Sequence, residues 1–172
     1  FWPAAGIAFA FVLRHGLWYA AAIPLAMLLL HRFLVPVPAE FLPYSLASNT
    51  LATLAGAWYV RRQRQVIRLR TKDGFLLLRG ALLMSAVSAL VGVGGMQHAD
   101  MVDAAGVPGA MLQWALGDLL GLVSLTPAVL YVIGGGLAEQ DAHPSPAIRR
   151  EIVFWALLLA AVLGGVHVVG LM

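Results

Sequence analysis

Residues 75–96 read FLLLRGALLMSAVSALVGVGGM. The stretch carries one charge, Arg79, close to its beginning. A helix crossing the hydrocarbon of a bilayer needs roughly 20 mostly apolar residues, and an arginine near its end can extend its stem to the headgroups. Strand-like alternation of apolar and polar residues is missing, which argues against a membrane barrel. The same reading extends outward in both directions. Residues 110–133, 44–60, 17–34 and 151–171 are further apolar segments, with Pro24 expected to kink the segment that contains it. Residues 3–13 are apolar but too short to span, so they read as a half-helix or as a span whose beginning is missing; Pro3 suits a first turn, where its missing N–H has no partner to lose. The expected fold is all-α: a polytopic transmembrane helix bundle of about five to six membrane segments, one of them a half-helix.

Composition agrees. Of 172 residues, 61% are hydrophobic and 11% charged, whereas a soluble domain is roughly 45–50% apolar and about 25% charged. Charge this sparse does not cover a water-facing surface, and lipid tails remove the need for it. The chain has no cysteine, so disulfides, thiolate metal sites and cysteine nucleophiles are excluded. Residues 1–172 are read as a single transmembrane domain. Phe1-Trp2-Pro3 is not a natural start and Gly170-Leu171-Met172 ends inside an apolar run, so a piece of a longer chain is expected.

Charge also orients the segments. Six of the eleven basic residues fall between Arg61 and Lys72. The positive-inside rule puts loop 61–74 in the cytoplasm of a multi-pass membrane protein. Arg14 and Arg149–Arg150 then fall on the same side, and Glu40, Asp100 and Asp103 on the other. Arg32 is the exception. Trp18 and Tyr19 suit the aromatic belt at a membrane interface.

Polar residues inside such segments are costly, which makes them functional candidates. Asp118 leads, and Trp114, Asp118 and Gly121 share one helical face. Two readings stand for Asp118: a buried hydrogen bond locking two helices, or a site for a ligand, ion or proton. Its partners are expected on segment 44–60, where Ser45, Asn49, Thr53 and Gly56 line one face. Asn49 offers two donors and an acceptor. The small and hydroxyl residues there, like Ser85, Ser88, Gly92, Gly95, Gly117 and Gly121, also read as surfaces that let helices approach closely. Thr126, next to Pro127, is expected to bond a carbonyl that the proline frees. The five histidines (15, 31, 98, 143 and 167) include no pair at i, i+4. A helix-borne metal site is therefore unsupported. The sequence shows no phosphate loop and no nucleophile elbow, and it calls for no cofactor.

Three stretches share a further pattern: Trp2-Pro3-Ala4-Ala5-Gly6-Ile7-Ala8; Ser48-Asn49-Thr50-Leu51-Ala52-Thr53-Leu54-Ala55-Gly56-Ala57-Trp58, followed closely by Arg61-Arg62; and Trp114-Ala115-Leu116-Gly117-Asp118-Leu119-Leu120-Gly121 with Pro127. In order and spacing they resemble the MASE1 family of bacterial membrane-associated sensor domains, from Trp2 to about Tyr131. Ala4 stands where the family often has a second proline, Ser48 where glycine is frequent, and Ala52 where an acidic residue is frequent. The resemblance implies a signal-input module ahead of a cytoplasmic output such as a diguanylate cyclase, a cyclic di-GMP phosphodiesterase or a two-component histidine kinase. No output domain is encoded here.

On that footing the expected function is a membrane-embedded sensor with no catalysis of its own. Its partners are the lipid bilayer, a small-molecule signal, an attached output domain and a second copy in a homodimer; nucleic acid is not among them. The ligand-binding candidates are Asp118, Asn49, Trp114, Trp2 and Thr53. The alternatives are a structural subunit of a larger membrane complex and a small transporter or channel subunit. Pro24, Pro127 and the half-helix fit the broken helices of transporters.

Overall fold

A computed structural model of the protein describes residues 2–63 and 71–134. Among them every regular element is helical. Helix α1 spans Pro3–His15. A 3-10 turn, Leu17–Ala21, leads into α2, Ala22–Phe33. Helices α3 (Leu42–Gln63), α4 (Thr71–His98) and α5 (Val107–Ile133) follow. Segment 151–171, the loop before it, His143, His167 and most of the basic loop lie outside the described residues.

At 1.5 Å per residue, α4 and α5 are each about 40 Å long, more than the roughly 30 Å of bilayer hydrocarbon. Both are apolar enough to cross a membrane. On α5 an exposed stripe of Leu112, Leu116, Leu120 and Val123 follows the helical repeat, as a lipid-facing surface should. By the same rule α1, with 13 residues, is about 20 Å long and too short to span alone.

Two expectations are corrected. The segment from Leu17 is not one kinked helix: it breaks into the 3-10 turn and α2. Pro24 sits in the first turn of α2, where a missing N–H breaks no intrahelical bond. Asp73, expected in the basic loop 61–74, lies in the first turn of α4 and is fully buried. A carboxylate there complements the positive end of the helix dipole.

Helix α1 is wedged between its neighbours, packing on α5 and also on α3; α4 joins α3 to α5, and α2 lies on α3. Small residues make these approaches possible. A Cβ at Gly6 would collide with the Gly121 carbonyl, and one at Gly121 with the Trp2 carbonyl, so α1 and α5 cross backbone against backbone. Gly56 and Gly80 clear a slot between α3 and α4 for the Phe9 ring, whose atoms would lie 3.2 Å from a Cβ at either position. Phe9 is fully buried there. Among lipids no solvent effect drives helices together, so such close packing carries much of the stability.

Hydrogen bonds fix the ends. Arg61 donates to the Leu13 carbonyl at 2.7 Å, satisfying part of the last turn of α1. His31, in the last turn of α2, hydrogen-bonds the Val35 carbonyl through Nδ1 (2.9 Å) and the Ser45 hydroxyl through Nε2 (2.7 Å). The proline-rich linker is thereby tied to α3. Thr126 donates across the α1–α5 crossing to the Gly6 carbonyl, 3.3 Å away, and not to a carbonyl of its own helix freed by Pro127 as expected.

Candidate functional site

Asp118 is the twelfth of the 27 residues of α5. At 1.5 Å per residue that is about 16 Å from the helix start, far from either end. It is 5% exposed. The Ser88 hydroxyl of α4 and the Trp114 indole N–H, one turn earlier on α5, both lie beside its carboxyl group. Trp114 Nε1 also donates to Ser88 Oγ at 2.9 Å. The three groups form a closed polar cluster between α4 and α5. Gly92, on the same face of α4 as Ser88, leaves room for the indole: a Cβ there would meet Trp114 Cζ2 at 2.6 Å. The Phe41 ring packs edge-on against Trp114 with centroids 6.4 Å apart.

The positive end of α1 closes on the same turn of α5. The Trp2 backbone N–H donates to the Gly117 carbonyl at 3.1 Å, and the Trp2 carbonyl lies over Gly121. Three of the five residues expected from sequence therefore converge: Asp118 and Trp114 by side chain, Trp2 by backbone. Asn49 and Thr53 serve their own helix. Asn49 Nδ2 donates to the Ser45 carbonyl (2.9 Å) and toward the Ser48 hydroxyl (3.4 Å), and Thr53 donates to the Asn49 carbonyl (2.8 Å). The expectation that Asp118 finds its partners on α3 is thus corrected: α3 packs on α4, α1 and α2, and the side-chain partners are Ser88 and Trp114.

Ser88 was read from sequence only as a small packing residue. A signal for its role existed. Eight residues separate α4 from α5, so the two must run antiparallel as neighbours. Ser88 stands ten residues before His98, the end of α4, and Asp118 eleven after Val107, the start of α5. One turn below Ser88 on the same face of α4, the Ser85 hydroxyl is buried and has no hydrogen-bond partner. Buried polar atoms of that kind are uncommon, and this one extends the polar face.

Chemically the cluster can accept a proton, bind a cation or polar ligand, or lock two helices. Among the described residues no group of three or more His, Cys, Asp or Glu side chains is placed to hold a metal ion.

Neither the curated proteins nor the solved structures provide a match. The MASE1 family model matches residues 1–171, which takes in every element described above. The chain belongs to the MASE1 family of membrane-associated sensor domains.

Proposed function

We propose that the chain is the signal-input module of a bacterial signalling protein, multi-pass in the inner membrane, with loop 61–74 in the cytoplasm. It regulates an attached cytoplasmic output, a diguanylate cyclase or a histidine kinase, and performs no catalysis itself. The observation that carries this reading is a carboxylic acid buried far from either end of an apolar helix, held by a partner helix, within a sensor-family domain. A small polar signal binds at Asp118, with Trp114 and the Trp2 turn beside it. Binding shifts the helix packing only as far as the signal prefers one arrangement over the other. Intramembrane acids are retained where such work is done.

The test uses the parent polypeptide isolated from native membranes. Its mass should greatly exceed 18.3 kDa, and peptides of a kinase or cyclase should follow Met172. In that polypeptide Asp118→Asn, which keeps size and hydrogen bonding, should alter output activity with thermal stability nearly unchanged. Loss of the folded protein without any signalling-specific effect would make Asp118 a structural lock.

The shortness of α1, which begins beside the middle of α5, favours a second reading, a small transporter built on a discontinuous helix. Solute uptake into proteoliposomes that Asp118→Ala abolishes would select it.

A further inference from the structure

The last turns of α1 and α3 meet where Arg61 donates to the Leu13 carbonyl. That bond brings Arg14 and His15 of α1 to the same end of the bundle as Arg61 and Arg62 of α3. The 3-10 turn also packs on α3, and it carries Trp18, 92% exposed. Trp58 is 52% exposed, and the Arg62 guanidinium lies 5.3 Å from the centre of its ring. Arg14, His15 and Arg62 are exposed as well. Glu40, Asp100 and Asp103 flank the opposite helix ends.

Two exposed indoles on an apolar bundle mark the depth of the membrane–water boundary, where tryptophan is enriched. Guanidinium groups at that depth lie level with lipid phosphates. An arginine fork pairs with phosphate through two parallel hydrogen bonds, which an ammonium group does not reproduce. Stacking over Trp58 holds the Arg62 fork in place and limits the entropy lost on binding.

We propose that this end of the bundle docks an anionic phospholipid, with Arg14 and Arg62 gripping the headgroup phosphate and Trp18 and Trp58 flanking the start of its acyl chains. Arg61 is already committed to Leu13 and positions the two helix ends. The proposal rests on the membrane association of the family and not on any output domain, so its failure would leave the signal-input reading standing.

The test follows thermal unfolding of the whole chain in neutral detergent during titration with dioleoylphosphatidylglycerol, dioleoylphosphatidylcholine or glycerol phosphate. Phosphatidylglycerol should bind about tenfold more tightly than phosphatidylcholine, the scale of one lost charge-assisted bond. Glycerol phosphate alone should not stabilise. Arg14→Gln with Arg62→Gln should remove the preference. Arg32→Gln, an exposed cation beside Phe33 at the other end of α2, should leave it intact. Equal affinity for the two lipids would overturn the proposal, as would an equal effect of Arg32→Gln or full stabilisation by glycerol phosphate. Should the double variant not fold, Arg62→Lys decides. It keeps the charge and loses the fork, so phosphatidylglycerol should bind several-fold more weakly, and an unchanged affinity would refute the docking site.

Discussion

The crossing of α1 and α5 gives a sharp quantitative test. Replace Gly121 by alanine. The new methyl would overlap the Trp2 carbonyl oxygen and lie 2.9 Å from its carbon. Both belong to backbone, so no rotamer change relieves the contact and the helices must separate. Overpacking of this kind costs about 1–3 kcal/mol. Separation also lengthens the Trp2–Gly117 hydrogen bond, 3.1 Å now, adding about 1 kcal/mol. Against this, alanine is a better helix former than glycine by about 1 kcal/mol. The net expectation is destabilisation by about 1–3 kcal/mol. Gly94 provides the control, because it lies inside α4 and a Cβ there meets nothing within 4 Å. Gly94→Ala should stabilise by about 0.5–1 kcal/mol through propensity alone. The two variants should therefore differ by about 1.5–4 kcal/mol, although the chemical change is identical. Reversible unfolding in mixed micelles, followed by helical circular dichroism, measures the difference. If Gly121→Ala proves as stable as Gly94→Ala, α1 does not cross α5 at this turn, and the placement of Trp2 beside Asp118 falls with it.

Ser88→Ala removes the hydroxyl that accepts from Trp114 Nε1 beside the Asp118 carboxyl group. A buried donor is then left short of a partner, so the same unfolding assay should show a loss of about 1–3 kcal/mol; a neutral result would mean that the cluster is not closed. His31→Ala breaks the bonds to Val35 and Ser45. At about 0.5–1.5 kcal/mol for each bond, it should raise amide exchange in linker 34–41 at least several-fold while leaving α4 unchanged. Uniform exchange across both would show that the tie is not local. Arg61 and Asp118 do not touch, yet α1 bridges them, bonded to Arg61 at Leu13 and to the Asp118 turn at Trp2. Independent sites add within about 0.5 kcal/mol. A double-mutant cycle with Arg61→Gln and Asp118→Asn should exceed that if α1 transmits strain, and strict additivity would show that it does not.

Much of this architecture is legible in the sequence because a bilayer imposes simple rules. A long apolar run with one terminal arginine becomes α4 for want of any other way to satisfy its backbone in lipid. The glycines at 56 and 121 mark crossings because only a missing side chain admits a neighbouring backbone. Hydropathy places the boundaries two to four residues short at both ends of α3 and α4 and three residues late at the start of α5; polar residues such as Gln63 and His98 continue the first two helices. Hydropathy does not see a helix that extends beyond the hydrocarbon. Asp73 was misplaced for a related reason. A charge count assigns it to the basic loop, whereas helix start and burial depend on what α4 packs against.

The wrong partner for Asp118 has a different origin. Helical periodicity says which residues share a face, and it correctly grouped Asn49 with Thr53 and Asp118 with Trp114. It is silent on which faces meet. Asn49 had looked the better partner because an amide hydrogen-bonds more richly than a hydroxyl. The structure turns that capacity inward, to the Ser45 carbonyl one turn back, a choice open to any asparagine within a helix. Connectivity decides the matter instead. The eight-residue link forces α4 alongside α5 and pairs residues equidistant from it, so Ser88 comes opposite Asp118 and Gly92 opposite Trp114. The glycine is then explained by the tryptophan it accommodates, and the serine by the acid it supports. In an antiparallel pair joined by a short loop, counting outward from the loop places a buried acid's partner better than ranking polar residues by donor strength.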